Sequence, residues 1–178
     1  ASITIPNSVK VIGRSAFQNC TGLENVTIPN SVTTMNDGAN FYGCTGLKSA
    51  IIGDGVNDIP GYAFYGCKAL EQVKIGSSVR NIGDCSFQNC EALSNVTMGK
   101  NATRIGNNAF NYCISLPSIV IPNSVTEIGN GAFYYGEALN SVTMGNNVPR
   151  IGNWAFEDCE KLAKVTIPSN VASLNASM

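Results

Sequence analysis

The segment Val9–Ser31 reads VKVIGRSAFQNCTGLENVTIPNS, and its pattern returns along the whole chain. The frame, V-x-x-I-G-x-x-A-F-x-x-C-x-x-L-x-x-V-x-I-[PG]-x-x, occurs seven times at spacings of 23 or 24 residues. Full units begin at Val9, Val32, Val56, Val79, Ala102, Val125 and Val148, and residues 1–8 and 171–178 are partial units. A fixed period of this length predicts one solenoid over residues 1–178, in which each unit buries its apolar face by stacking on its neighbours.

Each unit predicts one strand and one compact turn. In Leu23–Ile28 the apolar residues alternate with polar ones near the end, which predicts a short, half-buried strand. Pro29, or glycine in other units, ends that strand. The spacing of Val9, Ile12 and Phe17 predicts a tight turn and a short helical or 3-10 piece. Strands that return to the same edge through such a crossover should be parallel.

Two interior columns repeat their residue type in nearly every unit. The Phe column is Phe17, Phe41, Phe64, Phe87, Phe110, Phe133 and Phe156. The Ala column is Ala16, Ala39, Ala63, Ser86, Ala109, Ala132 and Ala155. The stretch from Met35 to Pro60 is the least regular, and this alignment interprets Asn40 as a residue inserted between Ala39 and Phe41. Departures of this kind often mark functional sites, although drift in a repeat array gives a harmless bulge equally well.

The A-F-x-x-C and L-x-x-V-x-I-P segments closely resemble the BspA-like leucine-rich repeats, which occur in surface proteins of bacteria and some protozoan parasites. The resemblance covers essentially the whole chain. It implies an α/β solenoid of the leucine-rich-repeat type, a right-handed coil with a parallel sheet on the concave face and short helical or 3-10 segments on the convex face. It also implies an extracellular or cell-surface location and a role in attachment to host proteins or other cells. The family shares no catalytic residues, so none is carried over.

The outward positions of the strands form the candidate ligand-contact face. One column lies between the buried Val and Ile of each strand, and a second lies two residues before it. The candidate contact residues in these columns are Asn25, Thr27, Ser49, Ile51, Gln72, Lys74, Asn95, Thr97, Val120, Thr143, Lys164 and Thr166. This face is polar and weakly charged, which suits shallow contacts with an extended protein surface. Each residue taken singly is also explained as a solvent-tolerant strand position, where threonine is favoured.

Six of the seven cysteines occupy one column, and Gly136 takes the place of cysteine in the remaining unit. The column is Cys20, Cys44, Cys67, Cys90, Cys113 and Cys159. Stacked units point these side chains in parallel, whereas a disulfide requires convergent ones. A zinc site requires close cysteine pairs or histidine, and the chain has no histidine. We therefore expect a ladder of buried free thiols and no metal or cofactor. Cys85 lies outside the column, and we expect it to be partly exposed and the most reactive thiol.

Two further groups have a structural and a functional interpretation. Asp54 and Asp58 lie close enough to suggest a cation site, but a calcium loop needs more ligands at set spacings, so an acidic turn is favoured. Most of the tyrosines directly follow the Phe column or come one residue later, and they lie on the predicted convex side together with Tyr62 and the single Trp154. We expect them to pack over the helical pieces, with a convex contact patch as the alternative.

Composition narrows the function. Charged residues make up 13% of the chain and the net charge is −1, so there is no basic surface for nucleic acid. No apolar run is long enough to span a membrane. Without histidine or recurring acid pairs, catalysis is not expected. The sequence predicts a non-catalytic protein-binding or adhesion module, and the alternative is a structural spacer that projects another domain. Because neither end carries a polar cap, we also expect end-to-end self-association.

Overall fold

A computed structural model of the chain describes residues 2–163 and 165–174. It is a parallel β-solenoid of about seven turns. Within the described residues there are two series of strands. The first sheet contains β1 (Ser2–Thr4), β3 (Asn25–Ile28), β5 (Ser49–Ile52), β7 (Gln72–Lys74), β9 (Asn95–Thr97), β11 (Ser118–Ile121) and β13 (Ser141–Met144). The second sheet contains β2 (Val11–Ile12), β4 (Thr34–Met35), β6 (Asp58–Ile59), β8 (Asn81–Ile82), β10 (Arg104–Ile105), β12 (Glu127–Ile128), β14 (Arg150–Ile151) and β15 (Ser173–Leu174).

The first sheet is the one that the sequence predicts, and the expectation that its strands are parallel is confirmed. Ser2 pairs with Asn25, and Asn25 pairs with Ser49, so like positions of successive units lie side by side. The side chains of Val26 and Ile28 are 2% and 0% exposed, while the residues between them face solvent. The period-two pattern therefore sets the strand orientation as expected.

The second sheet was not predicted from the sequence. Its strands have only two residues each, too few for an alternating pattern to be recognised. In each strand of this sheet from β2 to β14 the second residue is buried, as Ile82 and Ile105 are at 0% exposure. Arg104 pairs with Asn81 on one side and with Glu127 on the other.

The expectation of helical or 3-10 segments is wrong, because the described residues contain no helix, so the solenoid is all β. Along the third side of each unit, which we call the turn side (14–20 in the first unit), amide donors alternate between two kinds of acceptor. The amide of Gln18 donates to Ser15 in its own turn, whereas those of Phe17 and Asn19 donate to the next unit. Ser15 and Asn19 both have positive φ, 53° and 58°, which interrupts any right-handed helical run.

The Phe column forms the contiguous internal row that stacking requires. Adjacent rings lie 5.0–5.5 Å apart between centroids, with interplanar angles of 12° or less. Beside it, each buried thiol of the Cys column donates to the carbonyl of a phenylalanine in the preceding unit, as Cys90 Sγ does to Phe64 O at 3.3 Å. The thiols thus satisfy backbone acceptors that would otherwise have a single partner.

Two prolines interrupt the two sheets. In the first sheet the residue after the leucine of the repeat frame, such as Leu93, donates its amide to the preceding unit. Ser94 donates in this way to the carbonyl of Glu71 at 2.9 Å. Pro117 occupies this position and has no amide hydrogen, and the first sheet is divided between β9 and β11. In the second sheet Gly83 donates to Ile59 at 2.8 Å, and Pro60 occupies the same position one unit earlier, where β4 and β6 do not pair.

The irregular second unit is aligned differently from the sequence-based expectation. The amide of Phe17 donates to Asn40, just as the amide of Phe41 donates to Ala63, so Asn40 and not Ala39 occupies the Ala column. The extra residue is Asp37, in the bulge that follows Asn36. Asn40 is fully buried, and its Nδ2 donates to the carbonyls of Gly13 and Asn36, which ties the bulge to the first unit.

Candidate binding surfaces

The first sheet carries the residues predicted to contact ligand. Those on strands β3 to β13 lie on its outward side, where Ser49 is half-buried and the others are exposed. Thr166 is exposed beyond the last strand of this sheet, and Lys164 lies outside the described residues. Most of the face is polar, and the hydroxyl of Ser49 donates a 2.6 Å hydrogen bond to the side chain of Asn25 on the adjacent strand β3. Two apolar side chains break this pattern, Ile51 at 45% exposure and Val120 at 63%.

A shallow depression of about 260 Å³ lies on this face. It is lined by the outward residues of β5, β7 and β9, which are Ser49, Ile51, Gln72, Lys74, Asn95 and Thr97, and by the buried Ala50 and Val73 at its floor. The sheet therefore offers one apolar side chain, Ile51, at the rim of a polar depression.

A larger depression, about 530 Å³, lies on the second sheet, and five residues of the irregular stretch from Met35 to Pro60 line it. Arg104 forms its charged wall and makes a 2.8 Å ion pair with Asp84 and a 3.2 Å hydrogen bond to Asn81. Glu127 lies between Arg104 and Arg150, at 4.0 and 3.9 Å. These cross-strand pairs neutralise one another and stabilise the sheet modestly.

Asp84 also begins a ladder of polar side chains along one corner of the solenoid. It accepts hydrogen bonds from the amide and side chain of Asn107, whose Oδ1 accepts from the amide of Asn130, whose Oδ1 accepts from the amide of Asn153. Burial favours the neutral acid, but hydrogen bonds from Arg104 and Asn107 lower the pKa of Asp84 below its usual value. The side-chain oxygens of this ladder thus accept hydrogen bonds from backbone amides at a turn, where no helix supplies carbonyl acceptors for them.

The pair Asp54 and Asp58 does not form a cation site. Asp54 accepts hydrogen bonds from the amide and hydroxyl of Ser77 at 2.6 and 2.9 Å, and these bonds lower its pKa. Asp58 lies on β6, in the wall of the larger depression. Among the residues that the structure describes, no group of three or more cysteine, aspartate or glutamate side chains could hold a metal ion.

The thiols are free, and two of their environments differ from expectation. Cys85 is 9% exposed, and burial raises its pKa, so the expectation that it is partly exposed is wrong. Cys20 is the exposed thiol, because its unit is the first full turn. Burial raises the pKa of Cys44 to about 11 and raises that of Cys90 well above its ordinary value, so these thiols stay protonated at neutral pH.

Aromatic side chains form two groups on the turn side. In the first group, the ring of Tyr42 stacks on that of Tyr65 at 4.9 Å, and the ring of Tyr62 is tilted against that of Tyr65. In the second, Tyr112 stacks on Tyr135 at 4.6 Å. They lie over turns and not over helices, and Tyr62 is 49% exposed.

Three solved structures of bacterial leucine-rich repeat proteins resemble the chain. A leucine-rich repeat protein of T. pallidum superposes with a TM-score of 0.82 at 28% identity, over 90% of this chain and 77% of its own. A second, from Eubacterium ventriosum, gives 0.69 at 30% identity over 78% of this chain and 36% of its own. A third, from Bacteroides ovatus, gives 0.63 at 26% identity over 84% of this chain and 45% of its own.

Among curated protein sequences none matches the chain significantly. The family model of the BspA type leucine rich repeat region matches the chain in six copies, over residues 1–117 and 103–178. These matches extend over the whole array. The chain belongs to the family of BspA-type leucine-rich repeat proteins.

Proposed function

We propose that the chain is a non-catalytic protein-binding or adhesion module of a cell-surface or secreted protein, which contacts host proteins or other cells through the outward side of the first sheet. Membership of the BspA-type family supports a role at the cell surface. The described residues contain no helix long and apolar enough to cross a membrane. We propose no nucleic-acid partner, because the chain has 11 basic and 12 acidic residues and no basic surface.

The observation that carries the proposal is the combination of exposed apolar side chains and a polar surround on a regular sheet. Ile51 and Val120 are exposed at strand positions where other units place threonine or lysine. Protein interfaces concentrate binding energy in a few apolar or aromatic side chains that a polar rim surrounds. The depression beside Ile51 would receive one side chain of the partner.

Binding of the immobilised chain to fibronectin, fibrinogen and whole host cells tests the proposal. We expect saturable binding to at least one of them. Ile51→Lys and Val120→Lys should each weaken it by about tenfold, because each removes an apolar anchor and adds a hydrated charge. Val11→Lys is the matched control, since Val11 is 50% exposed on a strand of the second sheet.

Equal losses in all three variants would contradict a site on the first sheet. Absence of saturable binding to any of the three partners would favour the alternative, a spacer that projects another domain. A spacer should also tolerate Ile51→Lys and Val120→Lys without loss of attachment when it is placed back in its parent protein.

We also propose that two copies associate end to end through the first unit. Strand β1 is a sheet edge, and Ile3, Val9 and Phe17 line an apolar depression of about 200 Å³ beside it. An unpaired edge with apolar neighbours is a surface on which another strand can pair. Sedimentation should show concentration-dependent dimers, and Ile3→Lys should abolish them. A strictly monomeric chain at high concentration would contradict this.

A further inference from the structure

The second aromatic group lies among acidic side chains, and together they define what we call the acidic aromatic patch: Tyr112, Tyr134, Tyr135, Trp154, Glu157 and Asp158. The ring of Tyr135 stacks on Tyr112 at an interplanar angle of 5°, and Tyr134 meets both of them at 59° and 64°. Tyr112 is 39% exposed and Trp154 is 49% exposed. The three tyrosine rings thus form one connected cluster, and Trp154 is exposed on the same turn side of the next unit.

The backbone under this patch is unfavourable for the residues that it carries. Tyr112, Tyr135 and Trp154 have φ of 57°, 60° and 58°, a conformation that glycine and asparagine adopt readily and that bulky side chains avoid. Gly43 and Asn89 occupy the position of Tyr112 in other units. Aromatic residues at such positions are costly for the fold, and strained residues of this kind concentrate at functional sites.

The charge around the rings is negative. Tyr135 and Asp158 occupy the same column in neighbouring units, and the amide of Tyr135 donates to the carbonyl of Glu157 at 3.0 Å. A hydrogen bond to Asp158, together with the charge of Glu157, raises the pKa of the Tyr134 hydroxyl. Neither carboxylate takes part in an ion pair within the described part of the chain. The first aromatic group differs, since the nearby Lys68 pairs with Glu91 at 2.9 Å.

We propose that the acidic aromatic patch is a second interaction surface, which binds an extended basic segment of a partner protein through its arginine or lysine side chains. Guanidinium and ammonium groups are attracted to the faces of tyrosine and tryptophan, and the carboxylates of Glu157 and Asp158 supply the opposite charge. This surface is independent of the first sheet, because it lies on the turn side.

Trp154 is the only tryptophan in the chain, so its fluorescence reports on this patch alone. The experiment titrates the full chain with an octa-arginine peptide. We expect a saturable change of Trp154 emission that weakens as salt rises from about 50 to about 300 mM, because screening shortens the reach of surface charges. An octa-glutamate peptide and a neutral oligosaccharide such as maltoheptaose should give no saturable change.

Variants separate binding from folding. Asp158→Asn keeps a residue that tolerates its positive φ of 57°, and the double variant Tyr112→Asn, Tyr135→Asn suits the same backbone. Each should weaken peptide binding by about tenfold without lowering the melting temperature. Tyr62→Asn is the matched control, since Tyr62 is an exposed tyrosine with φ of 60° outside the patch, and it should bind as the unmodified chain does.

Three results would overturn the proposal. The first is no saturable response to octa-arginine. The second is an equal response to the oligosaccharide, which would assign the rings to a neutral ligand. The third is an affinity that Asp158→Asn leaves unchanged or that Tyr62→Asn lowers as much as the patch variants do.

Discussion

The interior and exterior columns of the same repeat units obey different rules. In every unit the interior places phenylalanine in one column, and six of seven units place cysteine in another. The exterior position between the buried residues is occupied by threonine, isoleucine, lysine or valine. An interior side chain contacts its own copies above and below, so its volume is fixed by the stack, whereas an exterior side chain contacts water. The difference indicates which positions are free to acquire a ligand.

The largest expected effect is a loss of folding stability at alkaline pH, because it acts on the buried thiols of several units at once. Burial raises the pKa of Cys44 from 9.0 to about 11 and also raises that of Cys90 well above 9.0. Unfolded thiols therefore lose their protons at lower pH than folded ones. The stabilisation is complete below about pH 9 and is lost as the pH rises toward 11, by about 1.4 kcal/mol for each thiol and each pKa unit of difference.

Urea unfolding under reducing conditions at about pH 8 and about pH 10 measures this loss. Cys90→Ala should show a shallower decrease of the free energy of unfolding than the unmodified chain, because one buried thiol is absent. The same decrease in both proteins would show that other groups cause it.

Truncation of one interior ring should be the most damaging single substitution. Phe87 is fully buried and stacks on Phe64 and Phe110 at 5.2 and 5.3 Å. Phe87→Ala should lower the free energy of unfolding by about 3–5 kcal/mol through lost burial and a cavity. The matched exterior change is Thr97→Ala in the same unit, which should cost less than about 0.5 kcal/mol in the same urea titration. Similar losses would contradict the distinction between columns.

Close approach of successive backbones should make one interior glycine hard to replace. A Cβ on Gly129 would lie 2.5 Å from the amide nitrogen of Asn107 and 2.6 Å from the carbonyl carbon of Gly106. Backbone atoms cannot rotate away, so Gly129→Ala should cost about 1–3 kcal/mol of stability. Gly22→Ala is the control, because nothing lies within 4 Å of a Cβ placed there. A melting temperature unchanged by Gly129→Ala would contradict the close packing of units.

The smallest effect should have the opposite sign. Ser86 occupies the Ala column with 0% exposure, and its hydroxyl has no hydrogen-bond partner. Ser86→Ala should raise the free energy of unfolding by about 1 kcal/mol, since it removes a buried polar group that pairs with nothing. Thr97→Ala again provides the exterior comparison. A loss of stability in Ser86→Ala would show that the column does not prefer alanine at this unit.

Elements with several patterned apolar residues could be predicted from the sequence, whereas the two-residue strands of the second sheet could not. The Phe column and the strand Asn25–Ile28 follow from apolar spacing, because burial imposes it. The second sheet and the polar ladder through Asn107 depend on backbone hydrogen bonds between units, which leave little trace in residue type. The helical expectation failed because positive φ at positions such as Ser15 depends on contacts with the next unit.

The candidate sites show the same division. The exposed columns of the first sheet could be listed from the sequence, since they are the complement of the buried ones. The tyrosines and Trp154 of the acidic aromatic patch could also be listed as a convex contact patch, and the 23-residue period places Asp158 in the column of Tyr135. The stacking of Tyr112 on Tyr135 and the position of Tyr134 beside both could not be predicted, because they depend on side-chain conformation. The misplacement of Asn40 has a similar cause, since residue identity favoured Ala39 while the hydrogen-bond register favoured its neighbour.

The two proline interruptions have a mechanical consequence. Pro60 breaks the second sheet beside an intact pairing of β3, β5 and β7, and Pro117 breaks the first sheet beside an intact pairing of β8, β10 and β12. Because the gaps occur at different heights and on different sides, no single transverse plane lacks both ladders. Under a tensile load along its axis, the solenoid would therefore have no single plane at which both sheets are already interrupted.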